Sequence, residues 1–173
     1  MATPTLPLQG QAVEVCWNTD QPGTDGGDII AITPVCDTSA YTAADVLFDS
    51  TEVPGAVRAS GGKAEIVSLT ILDEDDNAAA AMTLFVLRSN VSLGTANAAI
   101  SITDANAREI IGVIPVASGD FADLIASRIA CVRNIGLMIE PTTGTSVWIA
   151  ASCAGTPTQT ASGIKLRIGV RYL

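Results

Sequence analysis

The stretch Ile164-Lys165-Leu166-Arg167-Ile168-Gly169-Val170-Arg171-Tyr172-Leu173 decides the fold class of this chain. Its apolar residues Ile164, Leu166, Ile168, Val170 and Tyr172 alternate with a set that includes Lys165, Arg167 and Arg171. A period of two sustained this long specifies a β-strand with one apolar face and one basic face. Working outward, short apolar runs recur between clusters of Gly, Pro, Asn and Asp. Such punctuation is the pattern of an all-β chain.

Composition agrees. Hydrophobic residues make up 48% of the 173 positions but aromatics only 4%, so a core must be built from Val, Ile, Leu and Ala. β-branched residues of this kind suit pleated, half-buried surfaces. No apolar run reaches the length of a membrane-spanning helix, and residues 1–8, with Pro4 and Pro7, do not have the basic and apolar regions of a secretory signal.

Residues 1–27 are rich in Pro, Gly, Gln and Asp and read as an extended N-terminal arm, broken by one strand-like run over residues 12–17. Residues 28–173 read as one β-sandwich or jelly-roll-like domain of roughly eight to ten strands with one short helix. Strands are expected over residues 28–35, with Pro34 marking an edge, and over 41–48. Val67, Leu69 and Ile71 alternate with Ser68 and Thr70 as a half-buried strand. The acidic run Asp73-Glu74-Asp75-Asp76 closes it, and residues 80–87 follow as a central strand in a hairpin with it. Residues 98–102 are strand-like. Thr103 or Asp104 can cap a helix running to about Ile111, with Gly112 placed to end it. Val113 to Val116 is short and broken by Pro115, and residues 129–139 and 146–153 pair around Pro141.

The net charge is −9, which argues against a sequence-independent nucleic-acid binder. Its distribution is uneven. Residues 1–57 have no Lys or Arg but hold acids that include Glu14, Asp20 and Asp25. Residues 124–173 hold Arg128, Arg133, Lys165, Arg167 and Arg171 against the single acid Glu140. One reading is solvated faces of a single domain. The other is an interface in which Glu14, Asp20 and Asp25 meet Lys165, Arg167 and Arg171, within one subunit or between two.

Chemistry-bearing patterns are sparse. There is no histidine, so the Ser-His-Asp and Cys-His arrangements are excluded. Asp120 and Asp123 read as ordinary turn acids rather than a catalytic pair. The acidic run at 73–76 lacks the ligand spacing of a calcium loop and reads as a solvated hairpin tip. Gly61-Gly62-Lys63 lacks the spacing of a phosphate loop. Cys16, Cys36, Cys131 and Cys153 match no zinc spacing and read as small buried hydrophobes, with disulfides the alternative. Trp17 and Trp148 read as packing anchors. No catalytic residue, metal or cofactor is expected.

From about Asp37 onward a set of motifs resembles a known family. They are Tyr41-Thr42-Ala43-Ala44-Asp45-Val46-Leu47-Phe48, Gly61-Gly62, Leu72-Asp73-Glu74-Asp75-Asp76, and Asn90-Val91-Ser92-Leu93-Gly94-Thr95-Ala96-Asn97-Ala98-Ala99. Ile102-Thr103-Asp104-Ala105, Arg133-Asn134-Ile135-Gly136-Leu137 and the loop from Gly155 to Gly163 complete the set. Together they resemble small virion structural proteins of tailed bacteriophages. The resemblance implies a non-enzymatic capsid decoration (cement) protein, made in the host cytoplasm and placed on the capsid surface. Its implied partner is the major capsid protein, with a homotrimer as the bound form and no direct contact with nucleic acid or membrane. A neck or tail component, or a receptor- or glycan-binding module of the tail, is the alternative.

Overall fold

The computed structural model describes residues 26–77 and 81–173. Nine strands form two antiparallel sheets among these residues: β1 (Gly27–Ile32), β2 (Val46–Val53), β3 (Ala64–Asp73), β4 (Met82–Leu87), β5 (Ile110–Val116), β6 (Phe121–Asp123), β7 (Arg128–Ile139), β8 (Val147–Cys153) and β9 (Ile164–Tyr172). One sheet has the order β1-β9-β3-β7-β6 and the other β2-β8-β4-β5. Apart from the pairs β4-β5 and β6-β7, each successive strand lies in the opposite sheet. This winding, which puts first and last strands side by side, is a jelly roll. The all-β sandwich read from the sequence is therefore what the chain forms. The proposed arm falls almost wholly in residues 1–25, outside the described residues.

The core lies between the sheets. Ile164, Leu166, Ile168 and Val170 of β9 are buried beside Ile66, Leu69 and Ile71 of β3, and Leu84, Val86 and Ile149 face them from the other sheet. The alternation in β9 thus has the phase the sequence indicates. β9 pairs on both sides, with β1 and with β3.

Several expectations are corrected. β3 and β4 are not a hairpin, nor are β7 and β8 a pair; each connection crosses from one sheet to the other. Sequence neighbours look like hairpins because local pattern carries no information about which sheet a strand joins. In β3 the inward residue is Ile66 rather than Val67, because an irregularity between Ile66 and Ser68 shifts the register against both neighbours. Gly169 lies opposite this step, and a Cβ there would collide with the Ser68 side chain.

Residues 41–45 form a turn, and β2 starts at Val46. Asp45 accepts a hydrogen bond from the Thr42 N–H at 2.7 Å, and Ala44 has φ 75°. Tyr41 is buried, donating its hydroxyl to the Leu47 carbonyl at 2.9 Å. Among the described residues, 98–102 make a single bridge, Asp45 to Ala99. The helix capped by Thr103 ends at Ala107. Gly112 lies inside β5 instead, where the Leu137 side chain occupies the space a Cβ would need. Pro115 is accommodated because β5 is the edge of its sheet. β1 is likewise an edge, ending at Ile32 before Pro34.

Candidate functional site

The outward face of the five-stranded sheet collects the residues singled out by charge. Register fixes its rows. Ala31, Arg167, Thr70 and Cys131 lie side by side, as do Ile29, Gly169, Ser68 and Arg133. A third row runs Lys165, Leu72, Ile129, Ala122. The structure thus brings Lys165, Arg167 and Arg171 onto one face. Glu14, Asp20 and Asp25 lie outside the described residues.

Two of the three basic groups have partners on β3 or just beyond it. Lys165 Nζ is 3.5 Å from Glu74 and donates to the Ser162 carbonyl at 2.6 Å. Arg171 pairs with Glu65, its cross-strand neighbour. Arg167 makes no ion pair among the described residues. It lines a pocket of about 300 Å³ with Lys165 and Glu74 at the rim. Ala31, Ile32, Leu72 and Ile129 supply its apolar lining, and Leu166, whose side chain lies in the core, borders it.

This pocket sits at the end of the sheet where the β1–β2, β3–β4, β6–β7 and β8–β9 connections gather. The acidic run there is not a solvated tip. Asp73 has 0% exposure, and its carboxylate accepts the N–H groups of Asp75 at 3.0 Å and Asn77 at 3.2 Å. Burial, with the neighbouring Asp75 charge adding to it, raises the Asp73 carboxyl above its ordinary range. Asp75 accepts from the Thr160 backbone at 2.8 Å, and Asp76 pairs with Arg128 at 2.9 Å. These carboxylates tie the β3–β4 loop to the β8–β9 loop and to β7. Among the described residues, no group of three or more Cys, Asp or Glu side chains is arranged to hold a metal ion.

Next to the pocket, the β6–β7 turn displays Leu124 (51% exposed) and Ile125 (92% exposed). Ile125 has φ 78°, the left-handed region that a β-branched residue rarely enters. The turn is held rigidly. Leu124 N–H donates to the Ser127 carbonyl at 2.8 Å, and Ile125 N–H to Asp123 Oδ1 at 2.7 Å. Arg128 bridges Asp123 at 3.2 Å and Asp76. Asp120 accepts from the Ala117 N–H at 2.8 Å. Asp120 and Asp123 therefore shape this connection, as turn acids do. The sequence reading missed the two apolar residues beside them. Their signal was present: two large apolar residues at a turn position where polar ones are the rule.

Cys36, Cys131 and Cys153 are free thiols. Cys36 is buried, and desolvation, with Asp75 and Asp73 near it, pushes its thiol up to about 12. Cys153 is buried and raised by the same desolvation. Cys131 departs from the expected burial. It is exposed on the outer face, where hydrogen bonds from Arg133 and Thr70 lower its pKa. Trp148 is half-buried against Val46, Leu87 and Leu93 and acts as the packing anchor expected of it. Cys16 and Trp17 lie outside the described residues.

No family model matches the chain, and no curated protein matches it. Among solved structures, a chain titled "Desmodium yellow mottle tymovirus" matches at a TM-score of 0.29 and 10% identity, covering 86% of this chain and 81% of that one. A likeness at this level does not separate a shared fold from a shared content of strands.

Proposed function

We propose that the protein is a structural component of a virion, a decoration protein that seats on the outside of an assembled phage capsid as a homo-oligomer, most simply a trimer. The observation that carries this reading is a coincidence. The segment whose motifs resemble tailed-phage virion proteins, residues 37–173, is the segment that makes up nearly all of the jelly roll. Jelly rolls serve viral capsids, lectins and cupins alike, so the fold by itself is only an analogy. The side chains that this scaffold presents fit contact rather than turnover: a broad outer face of mixed charge and a rigid apolar turn.

The mechanism is thermodynamic. A protein that binds the assembled lattice but not free subunits lowers the free energy of the assembled state by mass action. Contacts to several capsid subunits at once multiply this through effective concentration. Trp148 is partly covered by its own core rather than displayed as a flat aromatic platform for a sugar.

Mass spectrometry of purified particles tests the proposal through copy number relative to the major capsid protein. Hundreds of copies per particle are expected, together with particles that resist heat less well when the protein is absent. A handful of copies would assign it to the neck or tail, and none would remove it from the virion.

A further inference from the structure

The β6–β7 turn and the pocket beside it have complementary character. The turn is a knob: Leu124 and Ile125 project from a base that carries Asp123, with Asp120 nearby. The pocket is a hole of about 300 Å³ with a partly apolar lining that also carries Arg167 and the Lys165–Glu74 pair. Both lie at one end of the same sheet; Ile129 of the pocket wall follows directly on Arg128, which anchors the knob.

The knob is costly to keep. Ile125 is held in a left-handed conformation with its side chain in water, when Gly or Asn would meet the turn without strain. Strain maintained by a surrounding network of hydrogen bonds and ion pairs points to use of the displayed group.

We infer that the knob of one copy inserts into the pocket of a second copy. Leu124 and Ile125 fill the hole, and Asp123 at the base comes against Arg167, which makes no ion pair among the described residues, while Lys165 stays with Glu74. Because each copy carries both a knob and a pocket, the contact closes into a small ring once the rotation between copies permits it. The inference names the surface for the self-association in the proposed function; it does not depend on the virion.

The test is the mass of the full-length protein in solution, by sedimentation at rising concentration, for wild type and three surface variants. Ile125→Asp removes the knob's apolar end, Ala31→Trp fills the hole from an exposed β1 position, and Arg167→Glu reverses a rim charge. Circular dichroism and melting confirm that each remains folded. Wild type should associate, and each variant should associate roughly tenfold or more weakly. A double variant, Ile125→Asp with Ala31→Trp, should be no weaker than the worse single one, because both act on one contact. A wild type that is monomeric throughout overturns the inference, even where particle copy number upholds decoration. An oligomer unmoved by Ile125→Asp overturns it while leaving self-association standing. Loss with Ile125→Asp but not with Ala31→Trp also overturns it, because the knob then seats somewhere other than this pocket.

Discussion

Ile125 gives the cleanest statement at the scale of a residue. Its φ of 78° costs an L-amino acid about 1–2 kcal/mol. Ile125→Gly should therefore raise unfolding stability by about 1 kcal/mol in urea melts while weakening self-association. Equal or lower stability would mean that the turn is unstrained. The thiols divide by environment. Cys131, exposed and lowered in pKa, should react with iodoacetamide in the native protein, whereas Cys36 and Cys153 should react only on unfolding. Peptide mapping after brief labelling reads this directly. Asp73 makes a pH prediction whose sign follows from linkage. Burial raises its folded pKa above the unfolded value of about 3.9, so the folded state binds its proton more tightly. The stability this contributes is complete below the unfolded pKa and is lost as pH rises through the folded one. Asp73→Asn should abolish that slope in denaturant melts. It should also lower overall stability, because an amide can accept only one of the two N–H groups the carboxylate accepts.

At the scale of the element, β9 was the most legible part of the chain because its pattern is strict and its face is buried throughout. Removing residues 168–173 takes away Ile168 and Val170, each worth about 1.5–3 kcal/mol when buried. It also unpairs backbone on both β1 and β3. A domain typically holds only about 5–15 kcal/mol in total, so the truncated chain should not fold in soluble form. An unchanged melting temperature would refute this. The strands themselves were mostly visible in the sequence, but their partners were not. The pattern around the acidic run looked like a hairpin because an apolar strand follows it closely, and nothing local records that β3 and β4 belong to different sheets. Val67 was placed inward because alternation assumes no bulge, and the shift at Ser68 depends on Gly169, a hundred residues away. The basic face was legible for the same reason as β9. The knob left a sign, two large apolar residues at a turn, but its left-handed backbone did not show, and the pocket was not legible, since four separate segments line it.

Across the whole molecule, charge and connectivity have consequences that single residues do not. Lys165 and Arg171 already face Glu74 and Glu65, and exposed pairs of this kind contribute about 0–1 kcal/mol each. Arg167, like Arg133 on the same face, makes no ion pair among the described residues. The docking of the acidic residues Glu14, Asp20 and Asp25 on this face stands as a proposal. Reversing Lys165, Arg167 and Arg171 to Glu should weaken assembly strongly at low salt. It should also lower the melting temperature, since two of the new acids would oppose Glu74 and Glu65. Wild-type assembly should weaken as salt rises. If wild type and the triple variant assemble equally at low salt, the segregation of charge is only a pattern of solvated faces. The position of β9 between β1 and β3 bears on time rather than on strength. Of its neighbours, β3 lies about a hundred residues upstream and β1 about 140, so the sheet closes only through contacts of very long sequence separation, which are slow to form. Until β9 arrives, β3 offers an open edge with Leu69 and Ile71 uncovered, and any chain carrying the same strand can complete it. Newly made copies should therefore exchange this strand with one another when they are crowded, giving intertwined dimers that dilution alone does not separate.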